Sequence, residues 1–134
     1  MTLSPLPDVA GPGLLIGIYA LGIGILCVLF LLIVVIESAV LQFMRWGSFR
    51  RSLRGSFLMN LASTLVGFFF LALLPQWKLL GILVAWALSV LIEGLVLLRL
   101  QRDAGRRNWT VALVANLVSY AILIVPAYLF APTD

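Results

Sequence analysis

"VVIESAVL", residues 34–41, sets a single glutamate, Glu37, among apolar and small neighbours. Fifty-six residues later the chain writes "VLIEGLVL", residues 90–97, with Glu93 at the same place in the pattern. A carboxylate is costly in any apolar surrounding and costlier in lipid, where polar residues stay only with a partner or a task. Two carboxylates in one local pattern therefore predict two membrane helices that treat them alike.

The composition requires the membrane. The 134 residues are 63% hydrophobic and 10% charged, with a mean hydropathy of +1.18. Soluble domains carry roughly 25% charged residues, and so short a chain cannot hide this much apolar surface in one aqueous core. There is no histidine, the commonest metal ligand and a frequent haem ligand. Cys27 is the only cysteine, so neither a disulfide nor a thiolate cluster forms within one chain, and it reads as an inert apolar residue.

Uncharged runs mark the spans. A helix needs about 20 apolar residues to cross the hydrocarbon, and four fit, at about 14–42, 56–74, 78–99 and 109–130. Long apolar runs without alternation speak against a barrel. The fold class expected is all-α integral membrane, one transmembrane domain over residues 1–134. "MTLSPLPDVAGPG" lacks a basic leader, so the first helix is expected to be retained. Pro12 and Gly13 suit a helix entry, Pro75 closes the second helix, and Pro126 ends or kinks the fourth.

Arginines set the orientation. Arg45, Arg50, Arg51 and Arg54 fall between the first two spans, and Arg99, Arg102, Arg106 and Arg107 between the last two. The positive-inside rule places both groups on the cytoplasmic or stromal side and both termini outside, in a prokaryotic plasma or thylakoid membrane. The eight arginines are explained by topology and by anionic headgroups; no aromatic stacking platform accompanies them for nucleic acid. Trp77, Trp46 and Trp109 are expected as interfacial anchors.

Sliding the sequence by 56 residues superposes Ile36-Glu37 on Ile92-Glu93, Val40-Leu41 on Val96-Leu97, Arg50-Arg51 on Arg106-Arg107, and Asn60, Leu61 and Ser63 on Asn116, Leu117 and Ser119. Glu, Arg-Arg, Asn and Ser are scarce here, so their coincidence carries weight. The chain reads as two parallel-repeat helical hairpins, about 14–74 and about 78–130, related by a pseudo-two-fold along the membrane normal.

Within each hairpin the glutamate and the asparagine sit at similar depths, roughly 10 Å inside the cytoplasmic edge at the helical rise. The expected pairs are Glu37 with Asn60 and Glu93 with Asn116, with Ser63 and Ser119 on the same helix faces as the asparagines. Asparagine carries donor and acceptor atoms, so it can bond a carboxyl group in either protonation state. The other arrangement has an ionised glutamate reaching Arg45 or Arg99 by snorkelling. Small residues form stripes that let helices approach: Gly13, Gly17, Ala20 and Gly24; Ser56, Asn60, Ser63 and Gly67; Gly81, Ala85, Ser89 and Glu93; Ala112, Asn116 and Ser119. Phe68, Phe69 and Phe70 face lipid or another subunit.

The function expected is that of a small non-catalytic polytopic membrane protein, an accessory, assembly or scaffold subunit of a larger complex, with the Glu–Asn pairs clamping each hairpin. No enzyme is expected: the carboxylates have no nucleophile, metal or phosphate loop beside them. No cofactor or metal is expected, although bound lipid or pigment is compatible with the sequence. Partners are lipid and other membrane subunits or further copies, not nucleic acid. The alternative is a small proton- or cation-coupled transporter or channel using Glu37 and Glu93.

Overall fold

The computed structural model describes residues 12–71, 78–124 and 126. All regular structure among them is helical: α1 (Pro12–Phe43), α2 (Phe49–Leu71), α3 (Lys78–Leu100) and α4 (Gly105–Ser119), with a 3-10 turn at Arg102–Ala104 and a π-helical turn at Tyr120–Ile124. Three segments are long and apolar enough to cross a membrane, Gly17–Phe43, Phe49–Phe70 and Leu80–Leu100. The fourth expected span, 109–130, runs past α4 into residues that in part lie outside the described ones, as do Pro75 and Trp77.

By internal contact the chain divides into two units, Met1–Leu31 and Leu32–Asp134. In the first unit the described side chains from Gly17 to Leu29 are all exposed, and a Cβ added at Gly17, Gly22 or Gly24 would touch nothing within 4 Å. Gly17 and Gly24 of the small-residue stripe are thus open among the described residues of that unit.

The second unit is apolar outside and polar inside. Among its described residues, more polar than apolar side chains are buried, whereas large apolar ones such as Phe43, Phe68 and Phe69 are widely exposed. Water would favour the opposite distribution, and lipid favours this one. The apolar core is a small cluster, Leu41, Trp46, Met59, Leu97, Val111, Ala112 and Ala115, near the arginine-bearing end.

Helix ends explain where the boundaries differ from expectation. α2 begins at Phe49 rather than near 56, and α4 at Gly105 rather than 109. Arg50, Arg51, Arg54, Arg106 and Arg107 thus lie in opening turns of helices, not in loops, and Arg99 lies in the last turn of α3. Hydropathy marks where a helix leaves the hydrocarbon, not where its backbone bonds stop. α1 closes with a Schellman arrangement: Trp46 N–H donates to Leu41 O at 2.9 Å and Arg45 N–H to Gln42 O at 2.9 Å, with Arg45 left-handed at φ 54°. That turn folds Trp46 back onto Leu41 in the core. Trp46 is consequently buried, which corrects its assignment as an interfacial anchor. Trp109 is half-buried, with its ring lying against Gly94 so that a Cβ there has no room. The π-helical turn comes just before Pro126, whose missing N–H and ring disturb the preceding turn.

Candidate functional site

The scarce polar residues of the sequence converge in the second unit. Glu37 on α1, Asn60 and Ser63 on α2, Glu93 on α3, and Asn116 and Ser119 on α4 are all buried, the two glutamates to 1% exposure each. Asn60 Nδ2 donates to Glu37 Oε2 at 2.6 Å, and Asn116 Nδ2 donates to Glu93 Oε2 at 2.6 Å. The serines cross over: Ser63 Oγ donates to Glu93 Oε1 at 2.8 Å, and Ser119 Oγ donates to Glu37 Oε1 at 2.7 Å. Each carboxyl group thus accepts one bond on each oxygen, one from the asparagine of its own hairpin and one from the serine of the other. The four bonds form a closed ring joining α1 to α2, α2 to α3, α3 to α4 and α4 to α1.

The donors are held by their own helices. The second amide proton of Asn60 goes to Ser56 O at 2.9 Å, and that of Asn116 to Ala112 O at 3.0 Å. Both amide protons are therefore used, and the amide planes are fixed. Ser63 and Ser119 also lie 3.2 Å from Asn60 O and Asn116 O, but a hydroxyl has one proton, and the shorter contact goes to the carboxylate. Ser56 Oγ ties α2 to α1 independently, through Val34 O at 2.8 Å. With both oxygens of each glutamate engaged by Asn and Ser, the arrangement with Arg45 or Arg99 is not adopted; both arginines are exposed.

Toward the arginine-bearing end a second set of bonds ties the helices. Trp46 Nε1 donates to Asn108 Oδ1 at 2.7 Å, and Asn108 Nδ2 donates to Gln101 O at 2.6 Å. Arg51 lies over the Trp46 ring, 5.4 Å from its centroid, and donates to Leu100 O at 3.2 Å. Arg107 donates to Met44 O at 3.1 Å and to Arg45 O. Guanidinium groups at carbonyl ends satisfy orphan acceptors and complement the helix dipole. These two arginines therefore close the C-termini of α3 and α1, a role that the sequence reading did not assign. Their recurrence at one offset was visible; their carbonyl targets were not, because a backbone acceptor leaves no residue signature. All eight arginines, Arg45, Arg50, Arg51, Arg54, Arg99, Arg102, Arg106 and Arg107, are exposed.

Chemically, the ring offers two carboxyls, two amides and two hydroxyls, a set suited to interhelical bonding or to carrying protons. Among the described residues, no three His, Cys, Asp or Glu side chains come together as a metal group. No protein family, curated protein or solved structure gives a significant match to the chain.

Proposed function

We propose that the chain is a four-span, non-catalytic membrane bundle that serves as an accessory, assembly or scaffold subunit of a larger complex. The observation that carries this reading is the closed ring. The intramembrane carboxylates, the residues best able to do chemistry, are consumed in bonds between helices. Interhelical hydrogen bonds in membranes are worth about 0.6 kcal/mol each on average, so four of them fix register while leaving the outer apolar surface free for lipid or a partner. The proposal includes α4 as the fourth span, arginine-bearing ends in the cytoplasm or stroma, and termini on the opposite side of a prokaryotic plasma or thylakoid membrane. It assigns no cofactor.

The internal repeat belongs to the same proposal. It is supported by bonds that exchange when 56 is added or subtracted: Asn60–Glu37 with Asn116–Glu93, Ser63–Glu93 with Ser119–Glu37, and Arg51–Leu100 with Arg107–Met44. Burial follows the same offset at Leu41 and Leu97, Ser52 and Asn108, Ser56 and Ala112, and Met59 and Ala115.

A second reading, a proton- or cation-coupled carrier, is favoured by one observation. Two buried carboxyl groups share one network, bonded to residues one turn apart on α2 and one turn apart on α4. A clamp alone has no need to bring two acids together.

Gentle extraction from the native membrane, followed by the mass of the intact particle, tests the first reading: a stoichiometric larger subunit is expected. Glu93→Gln should assemble normally, because its amide oxygen can still accept from Asn116 while its nitrogen donates to Ser63 Oγ, whose own proton turns to Asn60 O. Glu93→Leu, by contrast, removes both acceptors and lowers stability by about 1–3 kcal/mol. A lone particle whose proton flux is abolished by Glu93→Gln without loss of assembly would establish the carrier instead.

A further inference from the structure

A groove of about 510 Å³ opens at the arginine-bearing end of the second unit, between the start of α2 and the end of α3. Trp46, Arg50, Arg51, Arg54, Leu58 and Leu100 line it. Its chemistry changes along α2. Arg50, Arg51 and Arg54 occupy the opening turns, and Leu58 follows one turn further into the apolar span. Charge at the helix end and apolar surface one turn deeper is the profile of a glycerolipid, headgroup first and acyl chain after.

Among the described residues, no carboxylate pairs with the charged part, and few acids lie near it in sequence. Segments 44–58 and 99–108 hold eight arginines and a single acid, Asp103. Arg51 is committed to Trp46 and Leu100 O. Arg50 and Arg54 are exposed and stand four residues apart, so both guanidinium groups reach one face of the helix. They also stand at the N-terminal end of a 23-residue helix, where backbone N–H groups and the helix dipole favour an anion. Guanidinium suits a phosphate better than ammonium does, because its fork can donate two parallel bonds.

The residues that line the groove are not all repeated 56 residues later. There Arg54 is replaced by Thr110, which is uncharged and bonds back to Arg106 O at 3.0 Å. Gly55, whose backbone packs closely enough on the buried Trp46 ring that a Cβ would come within about 3.0 Å of it, is replaced by Val111, which is fully buried. Another groove, of about 480 Å³, is lined by Leu95, Leu98, Arg99 and Arg102, but it lies at the carbonyl end of α3, where the helix dipole repels an anion.

We infer that the Trp46–Arg50–Arg54–Leu58 groove binds one anionic phospholipid, its phosphate between Arg50 and Arg54 and its upper acyl chain across Gly55, Leu58 and Leu100. The inference rests on the proposal that these helix ends lie at headgroup level. It makes the lipid a structural component seated where α2 and α3 meet beside Trp46, rather than part of the surrounding bilayer.

The test uses the full chain, delipidated in an uncharged detergent and titrated with phosphatidylglycerol or phosphatidylcholine of identical acyl chains, with bound lipid counted by native mass spectrometry. The first phosphatidylglycerol should bind at least about tenfold tighter than phosphatidylcholine, the factor that one charge-assisted contact of about 1.4 kcal/mol supplies. Arg50→Gln with Arg54→Gln should abolish that preference. Arg45→Gln with Arg106→Gln, an equal change in charge outside the groove, should leave it within about twofold, a shift of about 0.4 kcal/mol. Leu58→Trp, which keeps the charge and narrows the acyl track, should weaken the lipid alone.

Equal losses in the two double variants would overturn the site in favour of diffuse attraction. Equal binding of the two lipids by the wild type would overturn it outright. Binding of soluble glycerol phosphate as tight as that of the lipid would make the ligand a free anion and overturn the lipid assignment. Alkaline extraction of native membranes separates this from the parent reading: release of the chain there sinks the membrane proposal itself, whereas retention without lipid selectivity sinks only the groove.

Discussion

Asn60 and Asn116 fit their places because an amide nitrogen has two protons, one for a carboxylate on the neighbouring helix and one for a carbonyl on its own. A serine there could serve only one of the two. The serines stand where one bond suffices, crossing to the other hairpin. Arg45 is a residue whose conformation, not its side chain, matters: it holds a left-handed φ of 54° in the turn that closes α1. That region costs a non-glycine residue about 1–2 kcal/mol, a cost that glycine escapes. Arg45→Gly should therefore raise the unfolding midpoint in detergent by the equivalent of about 1 kcal/mol, since the carbonyl that Arg107 uses remains. A fall would mean that the Arg45 side chain does more at this helix end than its exposed position indicates.

At the scale of elements, α3 and α4 meet where Trp109 lies on Gly94 with no space for a Cβ. Gly94→Ala should push the indole away and cost about 1–3 kcal/mol by overpacking. Gly67→Ala, where a Cβ meets nothing within 4 Å, should change the same thermal unfolding curve little. The contrast shows what the sequence could carry. The helices were legible because lipid demands long uncharged runs, and the Glu37–Asn60 and Glu93–Asn116 neighbours because rise per residue fixes depth. Helix starts were not legible, because Arg50, Arg51, Arg106 and Arg107 keep helical bonds beyond the uncharged runs. Nor was the burial of Trp46, since a tryptophan beside arginines reads as an interfacial anchor until the Schellman turn is seen to fold it inward. The crossed serines were placed on the correct faces, but which glutamate each would meet depends on how the hairpins stand together, which spacing within one hairpin does not determine.

For the second unit as a whole, the crossing bonds decide whether two hairpins behave as one body. Asn60 and Asn116 tie glutamates within hairpins; Ser63 and Ser119 tie them between hairpins. Removing one crossing hydroxyl leaves a buried carboxyl oxygen without its donor, at about 1–3 kcal/mol. If the hairpins were held mainly by apolar contact and by the arginine caps, Ser63→Ala and Ser119→Ala would act independently and their costs would add. A closed ring predicts otherwise. Ser63 holds Glu93, whose other oxygen holds Asn116 one turn from Ser119 on α4, so each loss loosens the helix that positions the other serine and changes the consequence of its removal. A double-mutant cycle in a mixed-micelle unfolding titration should show a coupling of at least about 0.5 kcal/mol between serines that share no direct bond. The same cycle between Ser63 and Trp46, near the arginine-bearing end, should show none. Strict additivity of the two serines would reduce the ring to four separate bonds and would remove the main support for reading the carboxylates as one structural unit.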